Sequence, residues 1–370
     1  MRICLVSSAY RPYISGVGEH VHYLGRELKE LGHRVQVLTT TYKPVVKTES
    51  LPATRLGKGL IIRFARGEFT LPVGLTLPRQ IKDFFLSNRF DIVHCHGIFP
   101  PEIAYWSALY SQAPVVVTFH AVNPQLPGFV YAAFRVLFAR LTRRVRARIA
   151  VSRACQHWAE NFFPGQYRII PNGIDTSCFH PDLPNQQVRK NHRLLFVGRL
   201  EKRKGLEHLL QALPAVLSSF PDTEVVVVGF GPRKGYYQRL AARLGISSSV
   251  QFAGPVANKE LARYYNSATL CIAPTIGREA MGIVLIEAMA CGLPVIASRI
   301  TGYDEVIEDG ITGILVPPGD EKELGDRIIQ LLGSKTLRER IGEQALARAR
   351  DYDWGRVARA VEQVYLEVRQ

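Results

Sequence analysis

The sequence predicts an α/β protein of two consecutive doubly wound units, each a mostly parallel sheet covered by helices. Three observations carry this. Short apolar, β-branched runs alternate with amphipathic stretches along most of the chain, as in strands buried on both faces and covered by helices. The alternation breaks once, over 165–192, in a stretch rich in Pro, Asn and Gly, and then restarts. The 370 residues, at roughly 150 per domain, suffice for two cores.

Taken in order, Ile3–Ser7 is an apolar run of strand length, and Val17–Leu31 reads as a helix ended by Gly32. Arg34–Thr40, Leu60–Phe64, Asp91–His94 and Val115–Phe119 read as further strands, rich in β-branched and aromatic residues. Leu77–Leu86 and Phe129–Arg146 have helical spacing, and Arg148–Ser152 returns to strand. A linker is expected over 171–189, carrying Pro171, Asn172, Gly173, Pro181, Pro184 and Asn185. The second unit, 190–352, opens with strand Arg193–Gly198 and helix Gly205–Leu217. It continues as strand Glu224–Val228, helix Tyr236–Leu244, strand Val250–Ala253, helix Lys259–Ser267, strand Leu270–Ala273 and helix Ile283–Met289. Strands Val295–Ser298 and Ile314–Val316 follow, then helices near 321–333, 335–350 and 353–368. The closing helix, about 353–370, is expected to pack back on the first unit, residues 1–170. Two such units should present their strand carboxyl ends to a cleft between them.

Composition excludes several classes. With 47% hydrophobic and 21% charged residues, the chain is neither disordered nor collagen-like. No apolar run approaches the ~18 residues of a membrane span. The opening MRICLVSSAYRPY reads as a strand and not as a secretory leader. Six scattered cysteines never take C-x2-C spacing, so neither a zinc site nor a disulfide framework is expected. A cytoplasmic location follows as the expectation. Charge is the unusual property: 47 Lys+Arg stand against 32 Asp+Glu, giving +15 and a pI near 9.7. Residues 1–170 hold 22 Lys+Arg and 9 Asp+Glu, whereas 171–370 hold 25 and 23, so the excess belongs to the first half. A basic half fits nucleic acid, an anionic membrane or an anionic substrate.

Two glycine patterns invite a dinucleotide reading and fail it. Gly16-Val17-Gly18 lies about eight residues past its strand and has Val21 where a third glycine belongs. Gly229-Phe230-Gly231 follows a strand directly but has Lys234 at that place. Both read as tight strand–helix turns. Asp351-Tyr352-Asp353 spells a possible cation motif, but it follows a helix, and Asp353 suits an N-cap.

More specific is Pro274–Pro294. Gly282 opens a helix whose first-turn N–H groups, at Gly282, Ile283 and Val284, form an anion site with the helix dipole. Glu279 precedes that start and Glu287 lies within the helix, so the two carboxylates bracket it and could hold hydroxyls on either side of a diphosphate. A surface loop with a solvated helical Glu is the plain alternative. At the end of the second unit's first strand, Gly198-Arg199-Leu200-Glu201-Lys202-Arg203-Lys204-Gly205 places Arg199 and Lys204 within reach of a bound anion. There they would stabilise negative charge on a leaving diphosphate without a metal; a solvated basic loop is the alternative.

Together, Gly198-Arg199…Lys204-Gly205, Glu279-x7-Glu287 with its GIVLIEAMACGLPVIAS continuation, and Pro171-Asn172-Gly173-Ile174-Asp175 resemble the family 4 retaining glycosyltransferases of the GT-B fold. The resemblance spans essentially the whole chain. Thr118-Phe119-His120 and the basic first half bring it nearest to phosphatidylinositol mannosyltransferases and related lipid-glycosylating enzymes. It implies a metal-independent hexose transfer, with retention, from a nucleotide diphosphate-sugar of the GDP-mannose or UDP-glucose kind to a lipid-linked or saccharide acceptor. No cofactor is implied. Carried onto this chain, Arg199 and Lys204 bind the donor diphosphate, Glu287 the ribose and Glu279 the transferred sugar. Backbone at Met281, Gly282 and Ile283 meets sugar and phosphate, His120 lies beside the reacting carbon, and Gly16 lets its loop approach the diphosphate. Two positions depart from the pattern: Ser15 replaces the first glycine of a Gly-Gly pair, and Ala280-Met281 replaces an aromatic after Glu279. On its own residues, His120 also fits a hydrogen-bonded core histidine at a strand end. A soluble glucan- or sucrose-type transferase or an epimerase on the same fold is an alternative, and a nucleic-acid-binding protein a weaker one.

The basic half also offers a surface. No acidic residue occurs between Glu102 and Glu160, and Arg135, Arg140, Arg143, Arg144, Arg146, Arg148 and Arg153 cluster there. At roughly 100° per residue, Val130, Phe134, Leu137, Phe138, Leu141 and Val145 share one helix face. Arg135, Arg140, Arg143 and Arg146 lie largely opposite. This predicts docking on an anionic membrane, peripheral on its cytoplasmic face. An ordinary covering helix with a solvated Arg face is the alternative. The aromatics among these arginines fall on the apolar face, which suits packing and not base stacking, so no nucleic-acid partner is expected.

Overall fold

A computed structural model describes residues 1–11, 15–42, 51–64, 67–74, 76–99, 102–122, 126–181 and 192–370. Its chain divides into two units, Met1–Gly173 with Trp354–Gln370, and Ile174–Asp353. The division therefore falls just after Gly173, inside the expected linker, and not around it. Residues 171–181 are packed: Ile174 and Phe179 are buried in the second unit's core. The rest of that expected linker, 182–189, lies outside the described residues.

In the first unit the order is β1 (Arg2–Ser7), α1 (Gly16–Glu30), β2 (Arg34–Thr41), β3 (Ala53–Phe64), β4 (Gly67–Val73), α2 (Leu77–Ser87) and β5 (Ile92–His96). Then come α3 (Ile103–Tyr110), β6 (Val115–Phe119), α4 (Gly128–Arg144), β7 (Val145–Ala150), α5 (Arg153–Glu160) and β8 (Tyr167–Ile169). The sheet has eight strands in the order β4-β3-β2-β1-β5-β6-β7-β8. All pairs are parallel except the β3–β4 hairpin. Strand order reverses between β1 and β5, so loops leaving their carboxyl ends part to opposite faces and open a crevice there. Both strands are buried at every inner position, including His94 and His96. Gly25 lets α1 close on the sheet: a Cβ there would stand 2.6 Å from Leu51 Cδ1.

The second unit runs β9 (Arg193–Val197), α6 (Leu206–Ser219), β10 (Glu224–Val228), α7 (Lys234–Arg243), β11 (Val250–Gly254), α8 (Asn258–Ser267), β12 (Leu270–Ala273), α9 (Ile283–Ala290), β13 (Val295–Ser298), β14 (Ile314–Val316), α10 (Glu321–Gly333) and α11 (Lys335–Ala349). Six parallel strands lie in the order β11-β10-β9-β12-β13-β14, with the reversal between β9 and β12. Alternate residues serve opposite faces. Leu194, Phe196, Val225 and Val227 pack in one core, Leu195, Val226, Val228 and Cys271 in the other. Helix α12 (Trp354–Arg369) belongs with the first unit, where Trp354, Val357, Val361 and Tyr365 join the core beneath α1.

Helix α4 corrects the expected basic surface. It ends at Arg144, so Val145 and Arg146 lie on β7 and not on the helix. Only Phe138 and Leu141 are fully buried, because the sheet and α3 need no wider stripe. Leu137, expected on the packed face, is exposed, as are Phe129 and Val136. Among the described residues no helix is long and apolar enough to cross a membrane.

Candidate functional site

At the β1/β5 reversal of the first unit, three imidazoles meet. His20 comes from α1, His96 ends β5, and His120 follows β6. His96 Nδ1 lies 2.9 Å from His120 Nε2, and His20 Nδ1 lies 3.0 Å from Asn172 Oδ1. One ring nitrogen of each of the three falls within 4.8 Å of the others, a spacing that a soft divalent cation could draw together. Behind them His94 is held by Tyr365 OH and Thr118 Oγ1, each at 2.6 Å. Burial holds all of these rings neutral: His20 is pushed down to about 4 and His94 to about 3. His96 and His120 lie well below the ordinary value, through burial first and then the neighbouring imidazoles. A neutral ring presents one donor and one acceptor, and His120 is engaged by His96 and by Asn172.

Helix α1 starts beside this group. Its N-cap is Ser15, in extended conformation, whose Oγ accepts from Gly18 N–H at 3.0 Å. The departure at Ser15 is thus a working cap. Nothing lies within 4 Å of a Cβ built on Gly16, so the backbone there is open on its outer side.

In the second unit the site gathers at the β9/β12 reversal. Gly198 turns the chain out of β9, and Lys202–Lys204 form a single 3-10 turn closed by Gly205 in the left-handed region. A Cβ on Gly205 would stand 1.7 Å from Pro274 O, so only glycine lets this turn seat against the loop after β12. That contact brings Lys204 Nζ to 2.7 Å from Glu279 Oε1, and Arg203 also reaches the same oxygen. Arg199 Nε lies 2.8 Å from Glu201 Oε1, but without the alignment of a hydrogen bond. Two cations therefore converge on Glu279, with Arg199 and Glu201 alongside.

Glu279 leads into Gly282, the N-cap of α9, with φ of 79° and no side chain to fill the cap. The first-turn N–H groups thus stay open to an anion. A Cβ at Gly282 would meet the Tyr303 ring at 2.4 Å. Tyr303 in turn holds Thr275 Oγ1 at 3.0 Å. Ile283 begins the helix, while the Met281 side chain turns into the core. The departure at Met281 thus leaves backbone, not an aromatic, beside Glu279. Glu287 is buried within α9, where its Oε2 accepts from Tyr265 OH at 2.7 Å. Burial pushes its carboxyl up to about 7 despite that hydrogen bond.

Of the expected residues, the structure joins Lys204, Glu279, Gly282 and Ile283 in one region and buries Glu287 in the second turn of α9. Sequence reasoning missed His20 and His96, whose signal was weak: one sits within a helix pattern, the other extends β5 beyond an apparent end at His94. It also missed Arg203, Tyr265 and Tyr303. Asp351 pairs with Arg348, and Asp353 accepts from Thr176 at 2.7 Å, so this acidic pair is engaged in the second unit's own structure.

The chain is similar to known proteins in sequence and in fold. Residues 14–177 match the model of Glycosyltransferase Family 4, and residues 183–348 that of Glycosyl transferases group 1. Phosphatidyl-myo-inositol mannosyltransferase of Mycobacterium leprae is 31% identical over 370 residues, covering 99% of this chain and 96% of the relative. A glycogen synthase of Mycobacterium tuberculosis is 28% identical over 399 residues, covering 100% and 95%. In fold, the chain resembles a glycosyltransferase from Rickettsia africae, with a TM-score of 0.82 at 22% identity and coverage of 99% and 98%. It also resembles Anabaena HepE in complex with UDP, at 0.80 and 19%, covering 99% and 100%.

Proposed function

The chain belongs to the family 4 glycosyltransferases, with the two-unit GT-B architecture, and we propose that it moves a hexose from a nucleotide diphosphate-sugar to a lipid-linked acceptor with retention of configuration. The observation that carries this is the convergence of Lys204 and Arg203 on Glu279 beside the uncapped start of α9. An anion and a polyhydroxyl group bound there would find cations, open amides and a carboxylate acceptor together. Lys204, Arg199 and the helix start take the charge of the departing diphosphate, Glu279 accepts from hydroxyls of the sugar, and Glu287 accepts from the ribose. The bond from the anomeric carbon to the diphosphate oxygen breaks while the acceptor oxygen bonds to that carbon on the same face. The acceptor's proton passes to the leaving phosphate oxygen. His120, neutral and held by His96, orients the acceptor hydroxyl.

These charges replace a metal in the proposal. Turnover should survive a chelator; loss restored by zinc or magnesium would overturn this part and point instead to the imidazole trio. The lipid acceptor rests on the whole-chain likeness to phosphatidyl-myo-inositol mannosyltransferases and on the basic first half. A peripheral position on the cytoplasmic membrane face goes with it. A second reading, transfer to a soluble glucan, is favoured by the likeness to glycogen synthase. Incubating the protein with GDP-mannose, UDP-glucose and other donors, with membrane lipid or glycogen, decides between them. Glycosylated lipid by mass spectrometry supports the proposal, and elongation of glycogen alone supports the second reading.

A further inference from the structure

A cavity of about 870 Å³ opens at the amino-terminal edge of the first unit's sheet, between α2, α3 and the end of α4. Val115, the first residue of β6, lies on its floor, whereas His120 follows the last residue of that strand. The two positions stand five residues apart along the chain, roughly 16 Å at strand rise. This cavity is therefore not the imidazole site.

Its lining carries Lys82, Arg140, Arg143, Arg144 and Arg146. No carboxylate among the described residues pairs with any of the five, whereas Arg203 and Lys204 are paired with Glu279. Arg144 is anchored by donating to Ser111 O at 2.9 Å. Trp106 and Tyr110 stack on the wall, with centroids 6.0 Å apart and 12° between planes. Five convergent cations in one concavity repel one another unless an anion sits among them. Phosphate is the chemistry that matches forked arginine donors.

The rim says where that phosphate comes from. Leu86, at the mouth, is 60% exposed. On α4 the outward face runs Phe129, Ala133, Val136, Arg140 and Arg143 at three-to-four spacing, with Phe129 and Val136 more than three-quarters exposed. Apolar side chains followed by arginines along one exposed helix face match the acyl and headgroup layers of a membrane surface. We propose that this cavity takes the phosphate headgroup of an anionic membrane lipid, docking the first unit through α4 and the end of α2. The inference rests on the membrane reading above and gives it a discrete site remote from catalysis.

Vesicle co-sedimentation tests it, using phosphatidylcholine alone and with phosphatidylglycerol added. The full chain is compared with Arg143→Gln, which lines the cavity, and Arg135→Gln, on the same helix but outside it and hydrogen-bonded to Asn161 O. Phosphatidylglycerol should promote binding, and Arg143→Gln should weaken it about fivefold, the equivalent of ~1 kcal/mol per surface cation. Arg135→Gln should change it less than twofold, and Arg143→Lys should restore most of the loss. Equal losses in both Gln variants would mean diffuse charge and overturn the cavity while leaving the membrane reading intact. No recovery with either vesicle would overturn both. Free sn-glycerol 3-phosphate perturbing Trp106 fluorescence, with vesicle binding independent of Arg143, would also overturn it and assign the cavity to a soluble phosphoester.

Discussion

Replacing Glu287 by Gln should abolish a pH dependence that the second unit owes to this one carboxyl. Burial holds the native group up to about 7, against 4.5 for the free side chain. Between those values the native state keeps a proton that the unfolded chain has released. Stability from this group is therefore complete below 4.5, falls as pH rises, and is gone above about 7. A shift of that size amounts to about 3 kcal/mol at most. Gln retains the hydrogen bond from Tyr265 without the ionisation, so Glu287→Gln should be more stable than wild type at pH 8 and no more stable at pH 4.5. The buried imidazoles slope the other way. His20, held down to about 4, stays neutral natively while the unfolded chain protonates below 6.5, so its contribution is present above 6.5 and lost toward 4. Only the difference between variant and wild type isolates Glu287. Urea denaturation from pH 4.5 to 8 gives that difference. Parallel curves across the range would refute the buried, proton-holding carboxyl. Donor binding supplies a second readout, because a ribose hydroxyl donates to a carboxylate and not to a carboxylic acid's proton. Wild-type affinity should tighten from pH 6 to 8, whereas that of Glu287→Gln should stay flat.

Three other outcomes follow from the same geometry. His96→Phe removes the partner of His120 Nε2; kcat should fall about tenfold, the scale of one lost buried hydrogen bond, with donor KM unchanged. A rise in donor KM with kcat retained would contradict a positioning role. Ser15→Ala removes the cap of α1 and should cost about 1 kcal/mol in chemical denaturation, whereas Ser15→Gly should cost a few tenths; equal losses would contradict the cap. Gly205→Ala places a Cβ against Pro274 O in a left-handed turn, so thermal melting should show a loss of more than ~1 kcal/mol, together with weakened donor binding.

The fold was legible because its signals are local. Glu224–Val228, Leu270–Ala273, Val295–Ser298 and Ile314–Val316 are continuous apolar runs between turn residues, and they are strands in the structure with the same bounds. Strand β4 was not read, since Gly67 and Pro72 look like loop, although it pairs with β3 as a local hairpin. The donor cluster was legible in part. Lys204 and Glu279 stand 75 residues apart, and what joins them is Gly205 seating on Pro274, a contact that spacing alone does not encode. Arg203 looked like one more solvated cation until that turn aimed it at Glu279. On α4 the periodicity identified a helix but misjudged its faces. Hydrophobic spacing marks residues that can be buried, and here the neighbours cover only Phe138 and Leu141. The imidazole trio escaped because its members come from three separate elements, brought together only by strand order.

The central claim is that Lys204, set on Glu279 beside the start of α9, takes the charge of a departing nucleotide diphosphate. Release of nucleotide diphosphate from its preferred sugar donor, timed for wild type and Lys204→Ala at saturating donor, tests it most directly. Loss of one preorganised cation at the leaving group should lower kcat by about 10²–10³-fold, with the fold and thermal melting retained. Nucleotide release by Lys204→Ala at the wild-type rate would contradict the account.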